Sequence, residues 1–397
     1  MAVTTVNGQR QAAKASLLYR PEVRQAIYQV ILVVAVVFFT WEIVSNVSEN
    51  LRRQNIASGF GFWDRTSGFD ISQTLIDYSN TSTYGRAFWA GLCNTLLVAA
   101  LGVVLATIIG FVIGIARLSP NWLVARLATV YVEVIRNVPL LLQLMFWYFA
   151  VLKNLPGPRQ SLALPAGASL NVRGLYLPSP VPEPGFGAVI WAFLIGIVVS
   201  IAVHVWARRR QMATGQRFPV LWTVLGLIFG LPLLAYLVTG MPLGFEYPEL
   251  KGFNFQGGFV IQPEFMALLL GLSIYTASFI AEIVRAGILG VSSGQKEAAR
   301  ALGLSNGQML RLVVIPQASR IIIPPLTSQY LNLTKNSSLA VAIGYPDFVS
   351  VFTGTVLNQA GQAVEVILLT MAVFLTISLL TSAFMNWFNT RMALVER

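Results

Sequence analysis

Eight stretches of this chain are long and apolar enough to cross a bilayer, and that repetition constrains the fold more than any single motif. They fall at 26–44, 88–116, 127–152, 188–206, 219–238, 264–288, 321–343 and 364–388. A crossing takes about 20 mostly apolar residues at about 1.5 Å of rise each. Only 11% of the 397 residues are charged, against about 25% in a soluble domain, while 55% are hydrophobic. The chain therefore reads as an all-α polytopic membrane protein with eight transmembrane helices. The second and third stretches are long or polar enough that part of each is expected outside the hydrocarbon. The seventh, which holds SQYLNLTKNSSL, is a weak span.

Basic residues gather on the cytoplasmic side of such proteins. With the N-terminus inside, the cytoplasmic segments carry sixteen Lys and Arg against three acids, and the outside segments carry seven against eight. Both termini are thus expected in the cytoplasm. The net charge of +11 becomes a topological signal instead of the footprint of a nucleic-acid binder. The first stretch follows Arg10, Lys14, Arg20 and Arg24 and reads as a retained anchor, being nineteen residues long with no small-residue cleavage site after it. The outside loops are then 45–87, 154–187, 240–263 and 344–363, none long enough for a substrate-binding domain. Seven prolines in the second predict an extended, irregular segment.

One cysteine, Cys93, and one histidine, His204, leave little for a disulfide framework, a Cys/His metal cluster, a Ser-His-Asp triad or a Cys-His pair. His204, beside Trp206 at a span end, reads as interfacial. No G-x-x-x-x-G-K-[ST] phosphate loop is present, and SSGQK lacks its spacing. Any ATP chemistry must come from a partner.

The most informative segment is the inside loop between the sixth and seventh stretches, EAARALGLSNGQMLRLVVIP from Glu297 to Pro316. Ser292 and Gln295 have the spacing of a capping box, Ala298 and Ala299 favour a helix, and Gly303 supplies a left-handed terminator. Ser305 and Gln308 repeat the cap, a second short helix follows, and Pro316 is expected to prevent its simple continuation. The product is helix, corner, helix. It suits either an amphipathic segment on the lipid surface or a rigid knob docked into a cytoplasmic partner.

Glu297-Ala298-Ala299, three residues, Gly303, nine residues and then Val313-x-Ile315-Pro316 resembles the EAA loop of ABC importer permeases, with Val and Ile for the usual Ile and Leu. GLCNTLLVAALG, YVEVIRNVPLLLQLMFWYF, YTASFIAEIVRAGI and PPLTSQYLNLTKNSSLAVAIG are similar to permeases for polar amino acids, and the whole to the Q-type subunit of general L-amino-acid importers. The resemblance covers about half the chain, at 91–148 and 268–344. It implies a type I ABC importer permease core of five spans plus three extra. The chain then divides into an anchor span and outside loop at 1–87, first core part at 88–153, Pro-rich loop, inserted two-span hairpin and second outside loop at 154–263, and second core part at 264–397. The last part contains a coupling loop at 290–320. Glu297, Ala298, Ala299, Gly303 and Pro316 would couple to an ATPase.

The same resemblance implies a bacterial inner-membrane importer subunit with no catalytic residue and no cofactor or metal of its own, ATP and Mg belonging to a dimer of ATP-binding subunits. A second permease subunit, an M-type paralogue in preference to a second copy, would complete the pore. A periplasmic amino-acid-binding protein would deliver the substrate, and membrane lipid would surround the assembly.

Several polar residues sit where apolar ones would be cheaper. Glu133 and Arg136, and likewise Glu282 and Arg285, are three apart and share a helix face, as ion pairs that ease membrane burial or as a gate or an ATPase contact. Lys335 lies deep in the seventh stretch and must face a polar cavity or a partner. With Gln329, Asn332, Asn336 and Ser337 it could line a substrate path or pin helices together. Asn94, Thr95 and Gln143 are candidates of the same kind. Gly102, Gly110 and Gly114 suggest close helix packing.

An ion-coupled secondary amino-acid transporter is the alternative, but it would need midplane acids in broken helices, and these acids lie mostly at span edges or outside. A membrane-embedded enzyme is disfavoured by the scarcity of His, Cys and clustered acids.

Overall fold

The computed structural model describes residues 21–53 and 58–392. Arg10, Lys14 and Arg20, and both chain ends with their expected cytoplasmic placement, lie outside these residues. Among the described residues seven helices are long and apolar enough to span a membrane, or eight if one bent pair counts as a span.

The first helix, α1 (Pro21–Arg53), runs past its apolar stretch, and none of its apolar window is buried within the chain. Residues 58–83 fold irregularly against the start of α2 (Tyr84–Ala116), where Phe62, Tyr84 and Phe88 are buried. Thr83 caps α2, its hydroxyl accepting from the Arg86 N–H at 3.2 Å.

The third apolar stretch is not one straight helix. It breaks into α3 (Trp122–Asn137) and α4 (Leu140–Met145), which continues as a π-helical turn over Phe146–Val151, with a bend of 105°. The cause is Pro139, which has no N–H and holds Val138 in an extended conformation.

The inserted hairpin consists of α5 (Phe186–Thr214), then α6 (Val220–Leu225), a π-helical turn and α7 (Leu231–Val238). Its two arms pack on each other, Gly196 facing the Leu227 carbonyl so closely that a Cβ would come to 2.6 Å.

The loops flanking that hairpin are not irregular, contrary to the proline count. Short strands β1 (Leu162–Ala163), β2 (Ser169–Asn171), β3 (Gly174–Leu177), β4 (Ser179–Pro182), β5 (Leu243–Glu246), β6 (Glu249–Lys251), β7 (Asn254–Gln256) and β8 (Phe259–Ile261) form three small antiparallel sheets. Their orders are β1-β2-β3-β8, β4-β5 and β6-β7, so the two loops are stitched together on one side of the membrane helices. Pro180 and Pro182 are tolerated in β4 because it pairs only with β5 and keeps one free edge.

Helix α8 (Pro263–Leu289) is the centre of the core. It runs parallel to α2: a Cβ on Gly110 would meet Ile280 at 2.6 Å, and one on Gly114 would meet the Ala281 carbonyl at 2.7 Å. The expected small-residue packing is thus realised there, and a Cβ on Gly102 would lie 3.1 Å from Leu333.

Beyond the short α9 (Ser293–Ala301) comes a continuous helical run. It begins as α10 (Asn306–Met309), turns π-helical over Leu310–Val314, continues as α11 (Ile315–Asn336) and ends in a 3-10 turn, Ser337–Ile343. Pro316 therefore does not end a helix. It sits at the first α-helical positions after the π turn, where its missing N–H is tolerated. A half-buried π-helical segment, Val349–Val356, leads through α12 (Leu357–Ala360) to α13 (Ala363–Met392).

Candidate functional site: a docking loop and a polar helix face

Helix α9 hangs directly from the end of α8. Ala299 is buried in its last turn, while Glu297, Ala298 and Arg300 are exposed. The first expected capping box is not formed: Ser292 makes no side-chain cap, and Gln295 instead accepts a long hydrogen bond from Gln317 of α11 at 3.5 Å. The far end follows expectation. Gly303 adopts φ +77°, its N–H donates to the Arg300 carbonyl at 2.9 Å, and the Leu304 N–H reaches back to Ala299 at 3.2 Å. Ser305 and Gln308 then cap each other reciprocally, at 2.9 and 3.4 Å. The corner leaves Leu302 81% exposed at its tip, with Met309 buried behind it.

Just above the loop, the Glu282 carboxylate is held by Arg285 on its own helix at 2.5 Å and also by Arg117 at the end of α2. The echo at Glu133 and Arg136 makes no such pair. The Arg136 guanidinium lies over the Phe279 ring of α8, 4.9 Å from its centroid, and Glu133 is exposed.

On α11 the side chains of Ser328, Asn332 and Lys335 are exposed along one stripe at helical spacing, and Lys335 has no acidic partner among the described residues. Gln329 and Asn336 are half-buried beside it, whereas Ser337 is buried and donates to the Thr334 carbonyl at 2.7 Å. Thr327, Ser328, Ser382, Asn386 and Asn389 line a cleft of about 590 Å³ between α11 and α13. A polar stripe on a helix apolar enough to span a bilayer calls for water, substrate or another chain against it.

Residues 207–394 match the family model described as the inner membrane component of binding-protein-dependent transport systems. The general L-amino acid transport system permease AapQ of Rhizobium johnstonii is 57% identical over 96% of this chain and 95% of its own. The putative amino-acid ABC transporter permease YhdX of Escherichia coli is 55% identical over 98% of this chain and 99% of its own. This chain belongs to the amino-acid permeases of the ABC transporters. A third relative, the glutamate/glutamine/aspartate/asparagine permease BztB of Rhodobacter capsulatus, is 41% identical over 96% of each chain.

Three polar residues of the permease that the sequence offers as path-lining groups are placed otherwise. Asn94 and Thr95 are fully buried: the Asn94 amide donates to the carbonyls of Gln73 at 2.7 Å and Pro346 at 2.8 Å, and the Thr95 hydroxyl accepts from the Phe348 N–H at 2.9 Å. Gln143 is also buried and donates at 2.9 Å to the carbonyls of Ile135 and Val138, which the break at Pro139 leaves without helical partners. All three are fastenings of the permease fold. Sequence reasoning missed Arg117, whose signal was its position as the first charge after a long apolar run. It also missed Tyr330 of α11, whose hydroxyl meets that of Thr107 on α2 at 2.9 Å.

Proposed function

We propose that this permease forms half of an amino-acid pore in a bacterial inner membrane, with both termini and α9 on the cytoplasmic side and the β-strands outside. The distribution of basic residues supports this orientation. A second permease chain, of the M type, covers the polar stripe of α11 and completes the path. Two ATP-binding subunits, carrying ATP and Mg, dock on α9 of each permease chain through the surface around Glu297, Ala298, Gly303 and Leu302. An external binding protein delivers the substrate. ATP-driven closure of the ATPase pair draws the two docking loops together and rocks the pore to outward access, and hydrolysis returns it.

The observation that carries the reading is the exposed Ser328, Asn332 and Lys335 stripe. The side chains carried by glutamate, asparagine and the other amino acids differ, and what they share is the α-carboxylate and α-ammonium group. Lys335 supplies the cation for that carboxylate, and Ser328 and Asn332 supply hydrogen-bond partners that tolerate different side chains.

The test is uptake of labelled glutamate and leucine by the complete complex in proteoliposomes, with ATP inside or with an ion gradient alone. Uptake follows ATP, and Lys335→Met lowers it at least about tenfold for both substrates, the loss of one charge-assisted contact being worth about 1.5–3 kcal/mol. Uptake driven by a sodium or proton gradient without ATP would overturn the reading in favour of secondary transport.

A further inference from the structure

The segment between α11 and α13 is fastened to α2 by a knot of buried polar groups whose hydrogen bonds do not balance. Gly91 of α2 lies so close that a Cβ there would come to 3.1 Å from the Phe348 Cα and 3.3 Å from the Val351 Cβ. Around this contact Asn94 holds the Pro346 carbonyl, Thr95 holds the Phe348 N–H, and the Tyr345 hydroxyl donates to the Asn94 carbonyl at 3.3 Å. Asp347 stands in the middle, fully buried. Its Oδ1 accepts from the Ser350 N–H at 2.8 Å, but its Oδ2 is buried with no partner among the described residues, and so is Oδ1 of Asn94.

No cation offsets the carboxylate among the described residues. On its own segment the neighbouring ionisable group is Tyr345, whose phenol burial pushes upward. From α2 it is faced by neutral Asn94 and Thr95, and Arg86 at the start of that helix donates to the Asp77 carbonyl. The 58–83 loop contributes the Gln73 carbonyl to Asn94; its ionisable groups Asp64, Asp70 and Asp77 are themselves acids, and its cation, Arg65, forms no ion pair with Asp347 among the described residues. On α8, Phe265 packs against Tyr345, while Glu264 is engaged by Tyr148 and Lys153. On α13, Glu365 accepts from the Gly59 N–H.

A buried charged carboxylate with an orphan oxygen is costly, and packing at Gly91 leaves no slack for a bulky counter-ion. We propose that Asp347 is a proton-binding site: a proton on Oδ2 turns an orphan acceptor into a donor and fastens the Asp347–Val356 segment to α2, and its departure loosens that segment. Burial holds the Asp347 carboxyl at about 7, far above an ordinary aspartate, which is the direction the geometry demands. With the docked pKa raised, fastening is strongest in acid, weakens as the pH climbs toward 7 and levels off above it. The inference concerns the fastening of one segment to α2 and stands on the knot itself, whatever the permease carries.

The complete complex in membrane vesicles, in a Cys93→Ser background, tests it by maleimide labelling of Val351→Cys, buried against Gly91, relative to Asn358→Cys, exposed on α12 just beyond the segment. Between about pH 5.5 and 7 the ratio rises by up to about tenfold per pH unit, as release of one proton requires, and it is flat above. Asp347→Asn abolishes the slope, and Asp347→Glu keeps it. A flat ratio in the parent chain, or the same slope in Asp347→Asn, would overturn the proposal. Should Asp347→Asn fail to assemble, infrared spectra of the unmutated complex decide: a carboxylic-acid band lost near pH 7 and shifted by Asp347→Glu supports the site, and its absence refutes it.

Discussion

Arg117, at the end of α2, reaches across to Glu282 of α8, joining the two parallel helices at the level from which the docking loop hangs. The Arg117 side chain is 9% exposed and its Nε has no acceptor among the described residues, so Glu282 is the carboxylate that makes its burial tolerable. Removing one partner of a buried pair leaves an uncompensated charge and costs about 3–5 kcal/mol, more than the pair itself contributes. Glu282→Gln is therefore expected to lower the thermal stability of the detergent-solubilised complex. Arg117→Met in the same background should restore part of the loss, because the orphaned cation is gone. A double variant no more stable than Glu282→Gln alone would show that an orphaned Arg117 cation is not the source of the loss.

Gly303 sets the corner of the docking loop, and its φ of +77° is a conformation in which an L side chain is strained. No heavy atom lies within 4 Å of where a Cβ would stand, so Gly303→Ala pays only the backbone term, about 1–2 kcal/mol. Gly303→Pro is different in kind, because proline fixes φ near −65° and removes the N–H that meets the Arg300 carbonyl. With Gly303→Pro or Glu297→Lys the complex is expected to reach the membrane and hydrolyse ATP while accumulating little substrate. The ratio of uptake to hydrolysis in proteoliposomes measures this. Normal uptake with either variant would remove the coupling assignment.

The apolar spans were legible because length and hydropathy decide them one at a time. Gly303 and the Ser305–Gln308 box were legible because each is local. The break at Pro139 hid inside a continuous apolar run, although Val138-Pro139 carried the signal. The joining of the two loops was invisible because β3 pairs with β8, and β4 with β5, across the whole inserted hairpin, contacts no local pattern records. Asn94, Thr95 and Gln143 misled for a single reason. A polar residue in an apolar run must find a partner, and sequence does not say whether that partner is substrate or an orphaned carbonyl such as those of Ile135 and Val138.

Leu302 separates the two fates of the docking loop. It is an apolar side chain 81% exposed at a rigid corner, with the charged and small residues of α9 beside it. If an ATPase groove receives the loop, burying Leu302 contributes about 2 kcal/mol, and Leu302→Ser weakens association of the ATP-binding subunit roughly thirtyfold. Titration of purified ATP-binding subunits onto the permease pair in nanodiscs reads this directly. The folded chain should tolerate the change, since Leu302 lies at the tip and not among the buried residues. If the loop lies on lipid instead, Leu302→Ser leaves that affinity unchanged and lowers only the partitioning of an isolated α9 peptide into vesicles. The two outcomes do not overlap, so one substitution decides whether the corner made by Gly303 is a socket fitting or a membrane float.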